Sequence, residues 1–455
     1  MSITTHASRR EAQPPRVPAG LPLFGHGLQL LRRRLDFLQE ARRYGPVVRV
    51  GLGPSTAYLV NDHTLLQQML VNDAALFPRG IHFRKARAVA GDGIITAEGP
   101  AHRRQRRLVL PAFSRKRVHG YSDVMRRIAM ERISSWPEDR PIELKPEFVS
   151  LATTVGTRAL FSTDLGAAAV SVIERALPVL TRGVSLRAMD PTGLIEHLPL
   201  PTNRRFGATM RELHGVIDGI IDSYRRTEQH GDDLLSMLML ATDEHDGKGM
   251  TDRQLRDEVI SILLSSAETT ALTMSWACHE LGRHPEVFRS LRAEVDRVLP
   301  DGEPPRHEQL PELELTRRVV KETLRLYPPT YFLSRTAVKD VRLGEHLIPG
   351  GSTVLYSFYS QHRDPRLFRD PHTFDPDRWL PERSADVTPE AYMPFGEGAH
   401  RCVGEGFAWA EAMTSLAIIA LHRDLRPVNG DGVRPTGTVT LMPRGLSMIL
   451  PRRAA

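Results

Sequence analysis

Phe395-Gly396-Glu397-Gly398-Ala399-His400-Arg401-Cys402-Val403-Gly404 puts one cysteine at the end of a glycine-spaced loop, just ahead of an apolar, helix-like stretch. A thiolate is costly to bury without a metal or aimed N–H donors, and a helix N-terminus supplies both donors and a favourable dipole. The three glycines leave the loop free to turn tightly. Such a loop is how a protein presents a thiolate to a haem iron. The plainer reading is a core thiol, because free cysteine is often buried.

Working back along the chain, Thr251 with Gln254 makes a capping-box start, and the sequence stays helix-compatible until His284-Pro285. At 1.5 Å per residue that run predicts a helix of about 50 Å, enough to cross the molecule and wall a central cofactor pocket. Inside it, Leu263-Leu264-Ser265-Ser266-Ala267-Glu268-Thr269-Thr270 sets an acid beside a hydroxyl in apolar surroundings. Buried polar groups need a partner or a task. Thr269 can also simply back-bond within its helix. Glu322 and Arg325 stand three apart on a helical segment, and His102 and Arg106 four apart on another, so each pair shares a face.

The remaining chain reads as a helical body flanked by β-rich zones. A helix is expected over Leu28 to Tyr44, strands over Val47 to Leu52 and Ala57 to Val60, helices from Ala101 to about Pro329, strands again from Tyr331 to Tyr359, and a hairpin over Val439 to Leu450 turning at Pro443-Arg444-Gly445. The two β-rich zones are expected to pack together. Residues 1–20, polar and proline-rich, read as a flexible tail, and residues 21–455 as a single catalytic domain. The tail has neither a signal-peptide core nor the roughly 20 apolar residues of a membrane span, so a cytoplasmic protein without a membrane anchor is expected. Only Cys278 and Cys402 are present, which excludes a disulfide framework and an iron–sulfur cluster. The net charge of +7 is spread over predicted helices rather than gathered in a tail, which argues against nucleic acid. The densest basic cluster, Arg103, Arg104, Arg106 and Arg107 with Arg115, Lys116 and Arg117, reads equally as a docking face for an acidic electron carrier or as a solvated helix face.

The spacing F-G-x-G-x-H-x-C-x-G resembles the haem-binding signature of the cytochrome P-450 superfamily. That resemblance implies a mainly α fold with a smaller β-rich region, haem b held between the long helix and the cysteine loop, and Cys402 as proximal iron ligand. It assigns Glu268 and Thr269 to the oxygen-activation segment, with Thr269 bonding the bound dioxygen and Glu268 helping to bring protons. Ser265 and Ser266 depart from the family pattern, where small residues and a glycine usually stand; back-bonding of Ser266 to Ile262 would preserve a kink. Leu326-Tyr327-Pro328-Pro329 and Phe374-Asp375-Pro376-Asp377-Arg378-Trp379 match the family's pairing of E-x-x-R with P-x-R, implying that Glu322, Arg325 and Arg378 lock the core around the cysteine loop. His102, Arg106, Arg335 and His400 match positions that hold the haem propionates. By position, Phe83, Val89, Ile94, Leu263, Phe332, Leu333 and Leu441 are expected to line the substrate pocket.

The activity implied is insertion of one oxygen atom from O2 into a C–H bond of a hydrophobic small molecule. Electrons would come from a separate ferredoxin and its NAD(P)H-dependent reductase. Asp92-Gly93-Ile94-Ile95-Thr96 and His102-Arg103-Arg104-Gln105-Arg106-Arg107 are similar to segments of actinobacterial members that oxidise sesquiterpenes, which points to a terpene; a fatty acid or polyketide is the alternative. A peroxide-driven hydroxylase and a non-catalytic haem sensor are the competing functions. There is no dinucleotide fingerprint, P-loop, C-x-x-C, H-E-x-x-H or G-x-S-x-G motif.

Overall fold

The computed structural model describes residues 13–160, 166–188, 195–227, 233–243, 247–385, 387–437 and 439–453. Its axis is the helix Asp252–Arg283, 32 residues long. Thr251 Oγ1 accepts the Gln254 N–H at 3.3 Å and the Gln254 side chain accepts the Thr251 N–H at 2.9 Å, so the capping box is complete. Pro285 forces His284 out of helical geometry and ends the run. Apolar residues surround much of this helix, and most of its side chains from Leu255 to Leu281 are buried. It packs on the helices Leu144–Leu160, Glu314–Leu326 and Glu405–His422, which is how an all-round apolar helix escapes water.

The two β-rich zones form one four-stranded sheet. Val47–Leu52 runs antiparallel to Ser55–Val60, which lies parallel to Thr353–Tyr356, itself antiparallel to Leu333–Thr336. Pairing Ala57 with Thr353 and Arg335 with Val354 brings the chain's first strands beside the segment carrying Phe332 to Arg335.

Three expectations change. The Leu28 to Tyr44 helix breaks at Arg33, giving Gly27–Arg32 and Arg34–Ala41 followed by a 3-10 turn at Arg42–Tyr44. The break is satisfied locally, since Arg34 Nε bonds the Leu30 carbonyl at 2.9 Å while its Nη1 reaches the Tyr331 hydroxyl at 2.7 Å. The C-terminal hairpin does not form. Leu441–Arg444 pairs with Arg434–Gly437, while Ser447–Ile449 pairs with Ile142–Glu143 and Arg426–Pro427, and Gly445 at φ +80° turns the chain between two sheets. Residues 13–20, read as part of a flexible tail, instead lie along the first strand: Val17 N donates to Arg49 O at 3.0 Å and Arg49 N to Pro15 O at 2.7 Å, with Val17 buried. Residues 1–12 of that tail lie outside the described residues.

Candidate active site

The cysteine loop is built by two left-handed glycines. Gly396 and Gly398 sit at φ +72° and +70°, and a Cβ on Gly398 would run into the Leu70 carbonyl. Gly404 is different: its φ of −88° suits any residue, and it serves as the N-cap of Glu405–His422. The loop closes through Cys402 N donating to Phe395 O at 2.9 Å. Cys402 opens onto a cavity of about 460 Å³. The protein packed around its sulfur pushes the thiol upward, against the pull of the Gly404 N–H and the Arg106 and Arg401 charges. Holding this sulfur as a thiolate therefore calls for a cation bound to it.

Around the same cavity, His102, Arg106, Arg335 and His400 come together with Arg79, which the sequence reading missed. The His102 and His400 rings lie 4.2 Å apart, and His400 Nε2 is 3.5 Å from Glu98 Oε2. Glu98 is held down at about 2: burial pushes it up, but hydrogen bonds from His400 and the Arg79 N–H, with their charges, outweigh that. His102 falls to about 3 through burial and the neighbouring His400 and arginine charges. Burial and the nearby Arg335 lower Arg79 to about 10; its guanidinium reaches the carbonyls of Ile94, Ile95 and Ala97. Of the three arginines on this side of the cavity, Arg79 pairs with Glu98, and buried Arg335 Nε and His400 Nδ1 have no hydrogen-bond partner among the described residues. A dianionic group would complete this cluster.

On the central helix, the cavity-facing residues include Ser265, Ser266, Glu268 and Thr269. Glu268 Oε1 receives the Thr440 hydroxyl at 3.3 Å and lies 3.5 Å from Lys145 Nζ. Thr269 Oγ1 donates to the Ser265 carbonyl at 2.7 Å. Ser266 Oγ donates to Leu263 O at 3.2 Å, one residue nearer than the expected Ile262, and it is Ser265 that reaches back four residues, to Ser261 O at 2.8 Å.

Phe83, Val89, Ile94, Phe332 and Leu333 line the cavity. Leu263 and Leu441 do not. Leu263 belongs to a core cluster with Val259, Ile262 and Leu234, and the next residue, about 100° round the helix, faces the cavity instead: Leu264. Leu441 is fully buried against Tyr331 and Tyr359, leaving Val439 and Thr440 on the cavity. Also missed were Leu177, Leu180, Thr181 and Val184 of the helix Gly166–Ala188, whose apolar spacing looks like any core helix.

Away from the cavity, Glu322 and Arg325 are fully buried and joined by two 2.8 Å bonds. Glu322 also accepts from Arg378 Nε at 3.3 Å, Trp379 Nε1 at 3.0 Å and the Asp375 N–H at 3.1 Å. Arg325 donates to the carbonyls of His362, Pro371 and Thr373. His362, another residue the sequence did not flag, bridges from the Arg325 carbonyl to the Met393 N–H just ahead of the cysteine loop. Burial, with the Arg325 charge, drops it to about 3, so it serves as a neutral ring.

A cysteine on a glycine loop, facing an acid–alcohol helix and an unsatisfied cationic cluster, matches a family model described as Cytochrome P-450 over residues 15–448. The chain belongs to the cytochrome P-450 family. Its relatives include cyclooctatin synthase of Streptomyces melanosporofaciens, 43% identical over 95% of this chain and 94% of the relative. Cyclooctat-9-en-7-ol 5-monooxygenase of the same organism is 38% identical over 91% and 90%. Pentalenene oxygenase of Streptomyces avermitilis is 36% identical over 96% and 97%. The haem domain of cytochrome P450DA superposes with a TM-score of 0.88 at 25% identity, covering 97% of this chain and 98% of that one. This cytochrome P-450 is therefore a haem b monooxygenase of mainly α fold, dependent on O2 and on redox partners. Among the described residues no helix is long and apolar enough to cross a membrane.

Proposed function

We propose that this monooxygenase hydroxylates a cyclic terpene in the cytoplasm, with electrons from a ferredoxin and an NAD(P)H-dependent ferredoxin reductase. The observation that carries the substrate class is the cavity wall. Phe83, Val89, Ile94, Leu177, Leu180 and Phe332 are apolar, while the lining carboxylates Glu268 and Glu397 are already paired with Lys145 and Arg401. Relatives named for cyclooctatin, cyclooctat-9-en-7-ol and pentalenene favour a terpene over a fatty acid or a polyketide.

Cys402 would hold the haem iron, and His102, Arg106, Arg335, His400 and Arg79 the propionates. When bound, haem supplies the activation of O2 that inserts one oxygen atom into a C–H bond, so that R–H, O2, two electrons and two protons give R–OH and water. Glu268 Oε1, beside Lys145 Nζ, takes up protons and hands them toward the cavity, and Thr269 Oγ1 holds a hydroxyl there. Glu322, Arg325 and Arg378 keep the cysteine loop in place. A basic docking face is narrower than the sequence implied: Arg104 and Arg107 pair with buried Asp243, and Arg106 Nη1 donates to Arg401 O at 2.6 Å. Exposed Arg103, Arg115 and Lys116 remain for an acidic ferredoxin.

Reconstitution with ferredoxin, reductase and a panel of cyclic terpenes and fatty acids tests the reading by product analysis. A hydroxylated terpene is the expected product. Turnover of fatty acids alone, or faster turnover with peroxide than with the redox chain, would reverse it.

A further inference from the structure

His82 lies on the helix Ile81–Ala90 and lines the cavity next to Phe83, Phe332 and Leu333. Its Nδ1 is 3.1 Å from the hydroxyl of fully buried Ser334, and its ring meets Phe332 edge-on at 6.0 Å. Those contacts fix the imidazole plane. Among the described residues nothing hydrogen-bonds Nε2, the other ring nitrogen. By contrast, the lining hydroxyls of Ser265, Thr269, Thr273 and Thr440 already donate to Ser261, Ser265, Thr269 and Glu268.

We propose that His82 Nε2 binds a hydroxyl group already present on the substrate, which makes the preferred substrate a hydrophobic cyclic alcohol rather than the parent hydrocarbon. The inference rests on the terpene reading and sharpens it. If Ser334 donates to Nδ1, Nε2 carries the proton and donates; if Nδ1 donates to Ser334, Nε2 accepts. An alcohol satisfies either arrangement, because its oxygen both donates and accepts. Burial, together with the Arg34 charge, lowers His82 to about 4, so the ring is neutral at physiological pH and offers a carboxylate no countercharge. A hydrocarbon in the same place would cover Nε2 without bonding it, and a site built around a hydrogen bond discriminates against ligands that lack it. A hydroxyl-forming reaction must therefore precede this enzyme, and its product is a diol.

The test uses the haem-loaded protein and two matched probe pairs, cedrol with cedrane and borneol with bornane. Binding is followed by the haem absorption shift and by calorimetry. The wild-type protein is expected to bind each alcohol about tenfold or more tightly than its hydrocarbon, one good hydrogen bond. His82→Phe should bring the two affinities within about twofold, and His82→Gln, which keeps a hydrogen-bonding end, should restore part of the gap. The carbon monoxide spectrum of each reduced variant checks that the fold survives. A His82→Phe protein with an undiminished preference overturns the inference. So does a wild-type protein that shows no preference yet hydroxylates the hydrocarbon, and in that case the terpene reading stands. Binding of neither member of either pair overturns the terpene reading and this inference together.

Discussion

Two buried charged regions of this molecule are wired in opposite ways. Around Glu322 every strong donor and acceptor is spoken for: the carboxylate takes Arg325, Arg378, Trp379 and a backbone N–H, and Arg325 spends its remaining donors on three carbonyls. Around Glu98 the carboxylate takes His400 and the Arg79 N–H, Arg106, Arg335 and His102 line the same cavity, and Arg335 Nε and His400 Nδ1 have no hydrogen-bond partner among the described residues. Buried polar groups without partners are costly. A closed network serves to hold a shape, whereas an open one is built to be completed by a ligand.

Cutting the sulfur that faces the open region gives the largest effect. Cys402→Ala should abolish hydroxylation and the sulfur-ligated carbon monoxide spectrum, while circular dichroism shows a folded protein, because Cys402 is tied into the loop through its backbone N–H. Next comes the closed network. Glu322→Ala should cost about 3–5 kcal/mol in denaturant unfolding, since it strands Arg325 as a buried unpaired charge. A loss below 1 kcal/mol would erase the distinction between the two regions. Arg335→Leu should leave unfolding of the haem-free protein nearly unchanged but speed haem transfer to apomyoglobin about tenfold, the worth of one charge-assisted bond.

An effect read as a pH slope rather than as a single loss comes from an intermediate case. Glu258 is fully buried; one oxygen accepts the Ile94 N–H at 3.0 Å and the other has no partner among the described residues. Burial raises its pKa to about 8 from an ordinary 4.5. The folded protein therefore keeps a proton that the unfolded chain releases, so its contribution to stability is complete below pH 4.5 and is lost as pH rises toward 8. Glu258→Gln should flatten the stability profile across that window while keeping the Ile94 bond; an unchanged slope would show that Glu258 is ionised in the fold.

Much of this was legible because it is local. The capping box at Thr251, the stop at Pro285, the glycines around Cys402 and the three-residue step from Glu322 to Arg325 are readable from spacing. The misreadings share a different character. Leu263 and Leu264 are both apolar, and only the rotation of the helix against its neighbours decides which meets the cavity. The Pro443-Arg444-Gly445 turn is real, but the strands on its two sides do not pair with each other: Leu441–Arg444 turns back on Arg434–Gly437, and Ser447–Ile449 joins Ile142–Glu143 and Arg426–Pro427. Arg79 and His362 gave no signal, because a lone arginine or histidine looks the same whether solvated or buried.

The sequence by itself determined the kind of chemistry: a thiolate loop, an acid beside an alcohol on a long helix, and an ion-pair core, since each depends on groups a fixed few residues apart. Tertiary structure alone decided how the chemistry is surrounded. It placed Arg79 and Glu98 among the four basic residues found by motif, left Arg335 Nε without a hydrogen-bond partner among the described residues, and turned His82 toward an apolar cavity with one nitrogen tied to Ser334. Those facts join residues separated by up to hundreds of positions, and packing, not spacing, sets the distances between them.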